Sequence, residues 1–223
     1  MTKRIVQLSA LEGYDLWSQY YDQTPNLVVA LDSRHTVSLL APASGEVVLD
    51  AGCGTGRNLH ALISAECEPI GIDFSKGMLS VAANRFPDVP LARSDLHQTL
   101  PFRSASFDAV LCALIGEHLT NLRTAIQEFH RVLRPGGRLI FSAYHPAMAE
   151  AGKEANFEVS GVEYRLGAVR HSVGQYEDSI RDAGFRHLER FEFKGDRQLA
   201  REVAAAVKYL DFPVLLVLKA IRT

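Results

Sequence analysis

A chain of 223 residues is long enough for one α/β core with a modest cap and short for two independent folding units. A formal net charge of −2, with Lys and Arg scattered along the sequence, gives no footprint for gripping a polyanion and excludes nucleic acid as a partner. Cys53, Cys67 and Cys112 form no CxxC pair, which excludes a disulfide framework or zinc site, and the longest apolar run, Phe212 to Leu218, is too short to span a bilayer. With no apolar stretch of signal-peptide length at its start, the chain is expected to be a soluble cytoplasmic protein with reduced thiols.

The tyrosine-rich opening reads as a helical cap over about residues 1–45. The β-branched run Glu46 to Leu49 then ends in Asp50, Gly52, Gly54 and Gly56, the pattern of a strand, a tight turn and a helix start. Leu59, Leu62 and Ile63 recur at helical spacing, and Pro69 to Ile72 reads as a second buried strand. Ser75 is suited to cap a helix that carries Met78, Leu79 and Ala82 on one face. Val89 to Ala92 is a third strand, and Phe107 to Leu114, apolar but for Asp108, is a run of the kind shown by parallel strands buried on both faces.

Leu122, Ala125, Ile126, Phe129, Val132 and Leu133 predict an amphipathic helix that Pro135-Gly136-Gly137 stops, with Arg138 to Tyr144 as the next strand. From about 145 to 172 the rhythm lapses. There Phe157, Val159, Val162 and Tyr164 around Ser160-Gly161 predict an inserted hairpin, a common form of substrate lid. A helix from Val173 to Ala183, a strand near His187 to Phe193, a helix near Gln198 to Tyr209 and a strand from Pro213 to Ile221 complete the chain. Such alternation implies right-handed βαβ crossovers and a Rossmann-like, doubly wound, mostly parallel sheet with helices on both faces. With no repeat or low-complexity tract, residues 1–223 read as one domain.

The chemistry concentrates in VVLDAGCGTGRN, Val47 to Asn58. Glycines at alternate positions let backbone pass close to a ligand, and the helix that follows offers free N–H groups. A dinucleotide fingerprint needs glycine where this chain has Arg57. Asp50 can receive the ammonium of an amino-acid ligand, whereas it would repel a pyrophosphate. Asp73, closing the second strand, can accept from both hydroxyls of a ribose, and Asp95 with Leu96 can read an adenine edge. Phe74 or Met78 can pack on the ring, a core role being the alternative for Met78.

VLDAGCGTGRN, GIDFSKGML, SDLHQTLPFRSASFDAVLCALIGEHL and FHRVLRPGGRLIFSAYHP, in this order and spacing, resemble the class I S-adenosylmethionine-dependent methyltransferases, specifically the small-molecule branch that includes the ubiquinone and menaquinone biosynthesis enzymes. The resemblance implies a seven-stranded sheet with a last antiparallel strand, and S-adenosylmethionine as cofactor. It implies Asp50, Gly52, Cys53 and Gly54 along the methionine moiety, Asp73 on the ribose, and Asp95 and Leu96 on the adenine. The backbone near Ala113 or Leu114 would meet the cofactor's amino group. It further implies that YDLWSQYYD, Tyr14 to Asp22, folds over the methionine end and brings Tyr14, Tyr20 and Tyr21 near the sulfonium, an alternative being a helix that staples the sheet.

Methyl transfer to a small-molecule oxygen, nitrogen or carbon acceptor is the expected activity. A base is needed only for a poorly ionised hydroxyl or a protonated nitrogen. His145, opening the inserted segment, is the preferred base, with Glu117 and His118 as further candidates and a purely turn-orienting histidine as the alternative at 145. No residue pair has metal-ligand spacing, and a homodimer is left open. A nicotinamide-dependent oxidoreductase and a non-catalytic cofactor-binding module are the competing readings.

Overall fold

The structure, a computed structural model, describes residues 4–223. The first three residues of the expected N-terminal cap lie outside the described chain. β1 (Arg4–Gln7) leads into α1 (Ala10–Trp17), which begins with a reciprocal cap in which the Glu12 amide donates to the Ser9 hydroxyl and the Ser9 amide to the Glu12 carboxylate. α2 (Leu27–Leu40) starts at Asn26, whose Oδ1 accepts from the Val28 and Val29 amides. There follow β2 (Val47–Ala51), α3 (Leu59–Ser64), β3 (Glu68–Asp73), α4 (Lys76–Arg85), β4 (Leu91–Arg93) and β5 (Phe107–Ala113). Next come α5 (Leu122–Val132), β6 (Leu133–Tyr144), α6 (Pro146–Glu150) and the hairpin β7 (Asn156–Val159) and β8 (Val162–Arg165). α7 (Val173–Asp182), β9 (Arg186–Lys194), α8 (Arg197–Glu202) and β10 (Pro213–Ile221) complete the order.

The main sheet has seven strands in the order β4-β3-β2-β5-β6-β10-β9. Its first five are mutually parallel, and β10 runs antiparallel to both β6 and β9. Continuous burial explains the apolar run of β5, where Ala109 to Cys112 are wholly inaccessible, and that of β10, where the same holds from Val214 to Leu218. One face carries α5 and α7 through Ile126, Phe129, Tyr176 and Ile180, and the other carries α2 and α8 through Val28, Leu31 and Leu199. From β2 the chain winds outward through β3 to β4 and then returns to add β5 on the other side. The switch point therefore falls at the carboxyl end of β2, where open α/β sheets place ligands.

Three local expectations are corrected. α5 ends at Val132, and the strand resumes at once at Leu133, so Pro135-Gly136-Gly137 is an irregularity inside β6, between the pairings of Phe107 with Leu133 and of Ala109 with Arg138. The helix expected near Gln198 to Tyr209 breaks at Val203, which is extended, and continues as a 3-10 turn over Ala204–Tyr209. There the Asp211 amide donates to the Gly195 carbonyl and returns the chain to the start of β10. The N-terminal cap contains a strand as well as helices: β1 pairs in parallel with β8, making a second sheet of order β1-β8-β7. Only four residues long and mostly exposed, β1 carries no alternation that sequence reading can detect.

Candidate active site

The turn after β2 opens into a cavity bounded by Gly52, Cys53 and Gly54, by Asp73, Phe74 and Met78 from the end of β3 and the start of α4, and by Asp95 and Leu96 after β4. Ala113 and Leu114 close it from β5, and Tyr14 and Tyr21 cover it from the N-terminal segment. Gly52 has φ +83°, and a Cβ there would lie 2.6 Å from the Ile115 side chain. Gly54, at φ +55°, has open space where its Cβ would project. Its amide donates to Asp73 Oδ2 at 2.9 Å, and the Ser75 amide donates to Asp73 Oδ1 at 2.8 Å. Two backbone bonds use half of the roughly four acceptor positions of a carboxylate and leave the others for vicinal hydroxyls. Gly52→Val should weaken S-adenosylmethionine at least about tenfold by calorimetry, because both the backbone conformation and Ile115 oppose a side chain there.

Asp50 does not line the cavity. It is fully buried behind the turn, and neither of its carboxylate oxygens has a hydrogen-bond partner. Burial pushes its pKa up to about 7 against the pull of Arg57, with Asp73 and Asp32 adding to the rise. Such an orphaned carboxylate is costly unless a ligand brings positive charge nearby. An amino-acid ammonium above the glycine turn meets that need, so the residues present fit S-adenosylmethionine.

Asp95 Oδ1 accepts from the His97 amide at 2.9 Å and contacts His97 Nδ1 at 2.8 Å, while the Thr120 amide donates to His97 Nε2. Because Nε2 accepts, the Nδ1 proton of His97 points at Asp95 and fixes the carboxylate at the side of the cavity that follows β4.

The segment from Tyr14 to Asp22 is fastened over the cavity at three places. The Tyr14 hydroxyl lies 2.8 Å from His118 Nε2. Asp15 Oδ1 accepts from the Ser75 hydroxyl at 2.6 Å and the Gly77 amide at 2.8 Å. Asp22 accepts from the Thr55 hydroxyl at 3.0 Å and from Arg85 at 2.7 Å. Trp17 stacks on Phe157 of the inserted hairpin, 4.9 Å between ring centroids, so cap and insertion share one small apolar cluster. Tyr20, expected near the sulfonium, is largely exposed and does not line the cavity.

His145 also stands elsewhere than expected. Its Nδ1 accepts from the Ala147 amide and caps α6, its Nε2 lies 3.7 Å from Glu192, and it does not border the cavity. His118 does border the cavity, and burial pushes its pKa down to about 4, so its ring is neutral at pH 7. Glu117 is buried beside it, with Oε1 4.0 Å from His118 Nε2 and Oε2 unpartnered. Burial raises Glu117 to about 7. Sequence reading missed Thr55, Arg57, Asn58, Ser94, His97, Ile115 and Leu119 in the lining. Arg57 and Asn58 adjoin the glycine motif, but which way the Arg57 side chain turns depends on Asp32 and Ser33 of α2. Among the described residues no group of three or more His, Cys, Asp or Glu could hold a metal, and no helix is long and apolar enough to cross a membrane.

A methyltransferase domain model matches residues 49–141. The chain is 32% identical over 151 residues to a demethylmenaquinone methyltransferase of Clavibacter sepedonicus, covering 65% of this chain and 60% of that relative. The chain thus spans less than two thirds of the length of the curated relatives it first matches. The crystal structure of an S-adenosylmethionine-dependent methyltransferase from Mesorhizobium loti superimposes with a TM-score of 0.72 at 22% identity, covering 88% of this chain and all of that one. A phosphoethanolamine N-methyltransferase 2 of Haemonchus contortus, solved with S-adenosylhomocysteine, does so with a TM-score of 0.65 at 17% identity, over 86% of this chain and 52% of that one. Fold, motif order and cavity agree: the chain has the fold of the S-adenosylmethionine-dependent methyltransferases, and its residues 49–141 match a methyltransferase domain model.

Proposed function

We propose that this chain transfers the methyl group of S-adenosylmethionine to a small-molecule acceptor, as a single cytoplasmic domain with its N-terminal segment and inserted hairpin closed over the methionine end. One conjunction carries this reading: an orphaned, buried Asp50 behind a glycine turn with open space above it, followed by Asp73 and Asp95 at the next two strand ends. The Haemonchus contortus neighbour's S-adenosylhomocysteine and the demethylmenaquinone methyltransferases support the same cofactor and reaction class.

When bound, S-adenosylmethionine supplies an electrophilic methyl group on a sulfonium. The residues of this chain bind and orient it. Asp73 accepts from the ribose hydroxyls, Asp95 and the Leu96 backbone read the adenine, Phe74 and Met78 pack on its ring, and the backbone at Ala113 or Leu114 meets the amino group. Tyr14 and Tyr21 exclude water from the sulfonium side and stay protonated, since burial raises Tyr21 to about 12 and Tyr14 well above its usual value. For an acceptor that must lose a proton, Glu117 replaces His145 as the base candidate: it lies directly behind the cavity-lining His118 and a carboxyl titrating near 7 suits a general base, whereas His145 is spent on a helix cap. His118, neutral and joined to Tyr14, orients the acceptor side.

Calorimetry tests the cofactor directly. Binding of S-adenosylmethionine and S-adenosylhomocysteine without NAD is expected; NAD binding without either would revive the oxidoreductase reading, and cofactor binding without turnover would favour a non-catalytic module. Asp73→Ala should weaken S-adenosylmethionine by about 10- to 100-fold, the worth of a charge-assisted pair of about 1.5–3 kcal/mol. An unchanged dissociation constant removes Asp73 from the ribose role.

A further inference from the structure

Arg57 entered the sequence reading only as the residue that spoils a dinucleotide fingerprint, yet among the described residues it is the one guanidinium or ammonium bordering the cavity. Its Nη2 donates to Asp32 Oδ2 at 2.7 Å, and its Nη1 donates to Ser33 Oγ at 2.9 Å. Asp32, on α2, is itself wholly buried, and its other oxygen accepts from the hydroxyls of Thr36 and Ser142. The carboxylate thus has both oxygens engaged, while the guanidinium has five N–H groups and spends one from each of two nitrogens on these bonds. The pair works as a fixed bracket: Asp32 sets the plane of Arg57, and the remaining donors are left for a ligand.

The bracket stands at the methionine end. Arg57 follows the glycine turn directly, and its charge is felt by Asp50 behind that turn and by Tyr21 above it. A ligand seated over the glycine turn thus has the buried Asp50 behind that turn and the Arg57 guanidinium at the cavity wall. This is the charge pattern of a zwitterionic amino acid, whose ammonium faces Asp50 and whose carboxylate still needs a partner. A planar guanidinium with paired N–H groups matches a carboxylate better than any other side chain.

We infer that Arg57, held by Asp32, is the anchor for the α-carboxylate of the cofactor's methionine moiety, and that Asp32 is its positioning residue. The inference rests on the methyl-transfer reading and makes the site selective for cofactors that keep the carboxylate.

The test compares S-adenosylmethionine with decarboxylated S-adenosylmethionine, which retains sulfonium and ammonium but lacks the carboxylate, by calorimetry on the full chain. The wild-type protein should prefer the carboxylate-bearing form. Asp32→Asn/Arg57→Met removes both charges and avoids stranding a buried carboxylate. It should weaken S-adenosylmethionine about 10- to 100-fold and change the decarboxylated form by less than about threefold. Arg57→Lys keeps a partner for Asp32 and serves if the double variant fails to fold; it should lose a smaller part of the same preference. Equal losses for both ligands, or an undiminished preference in either variant, overturns the inference and leaves methyl transfer standing. A wild-type protein that binds neither S-adenosylmethionine nor S-adenosylhomocysteine overturns the methyl-transfer reading itself, and the carboxylate anchor with it.

Discussion

Glu117→Gln is expected to lower kcat for methyl transfer to a protic acceptor by about two to four orders of magnitude, the usual contribution of a positioned base, with little change in cofactor affinity. The side chain is buried behind His118, which borders the cavity, with Oε2 unpartnered, and burial places its titration at about 7. Turnover of the wild-type protein should therefore rise from pH 6 to pH 8 and level off as the carboxyl ionises. The glutamine variant should show a flat residual rate over that range. A variant that keeps the wild-type profile removes Glu117 from proton transfer and implies an acceptor that reacts without a base.

Asp50→Asn should move stability and binding in opposite directions. The folded-state carboxyl titrates at about 7 against an ordinary value of 3.8. Folding thus favours its protonated form, and that contribution is complete below pH 4 and lost as pH rises through 7. Above pH 7 the ionised, unpartnered group costs on the order of a few kcal/mol, from about 1.4 kcal/mol per unit. The neutral amide removes this cost, so at pH 8 the unliganded variant should unfold at a higher temperature than the wild-type protein. It should bind S-adenosylmethionine at least about tenfold more weakly, and the wild-type gain in affinity from pH 6 to 8 should be absent. A variant destabilised at pH 8 would show that Asp50 has partners in solution.

Much of the fold was legible because burial on both faces leaves apolar runs such as that of β5, and because Ser75 lies where a helix cap must. Much of the cavity lining was legible for a related reason: Gly52 to Gly54, Asp73, Phe74, Asp95, Leu96, Ala113 and Leu114 lie on short stretches at strand ends, so local sequence fixes their place. The surroundings of the base candidates were not. His145 and Glu117 both follow strand ends, but His145 found a local partner in the Ala147 amide, whereas Glu117 had its surroundings supplied by Tyr14, Tyr21 and Tyr144, distant in sequence. The same limit hid the Arg57–Asp32 bracket and β1, whose partner strand lies more than 150 residues away (Arg4 pairs with Val162).

The place of β10 between β6 and β9 sets an order of assembly. Among the described residues, β9 has no hydrogen-bonded neighbour in the sheet except β10, which is made after it. During synthesis the parallel strands β2 to β6 can close on one another while β9 waits with both edges bare, and β6 keeps an open edge beside them. The strand that emerges later is the one that seals both, so the chain should gain resistance to proteolysis and to aggregation abruptly once Pro213–Ile221 has left the ribosome.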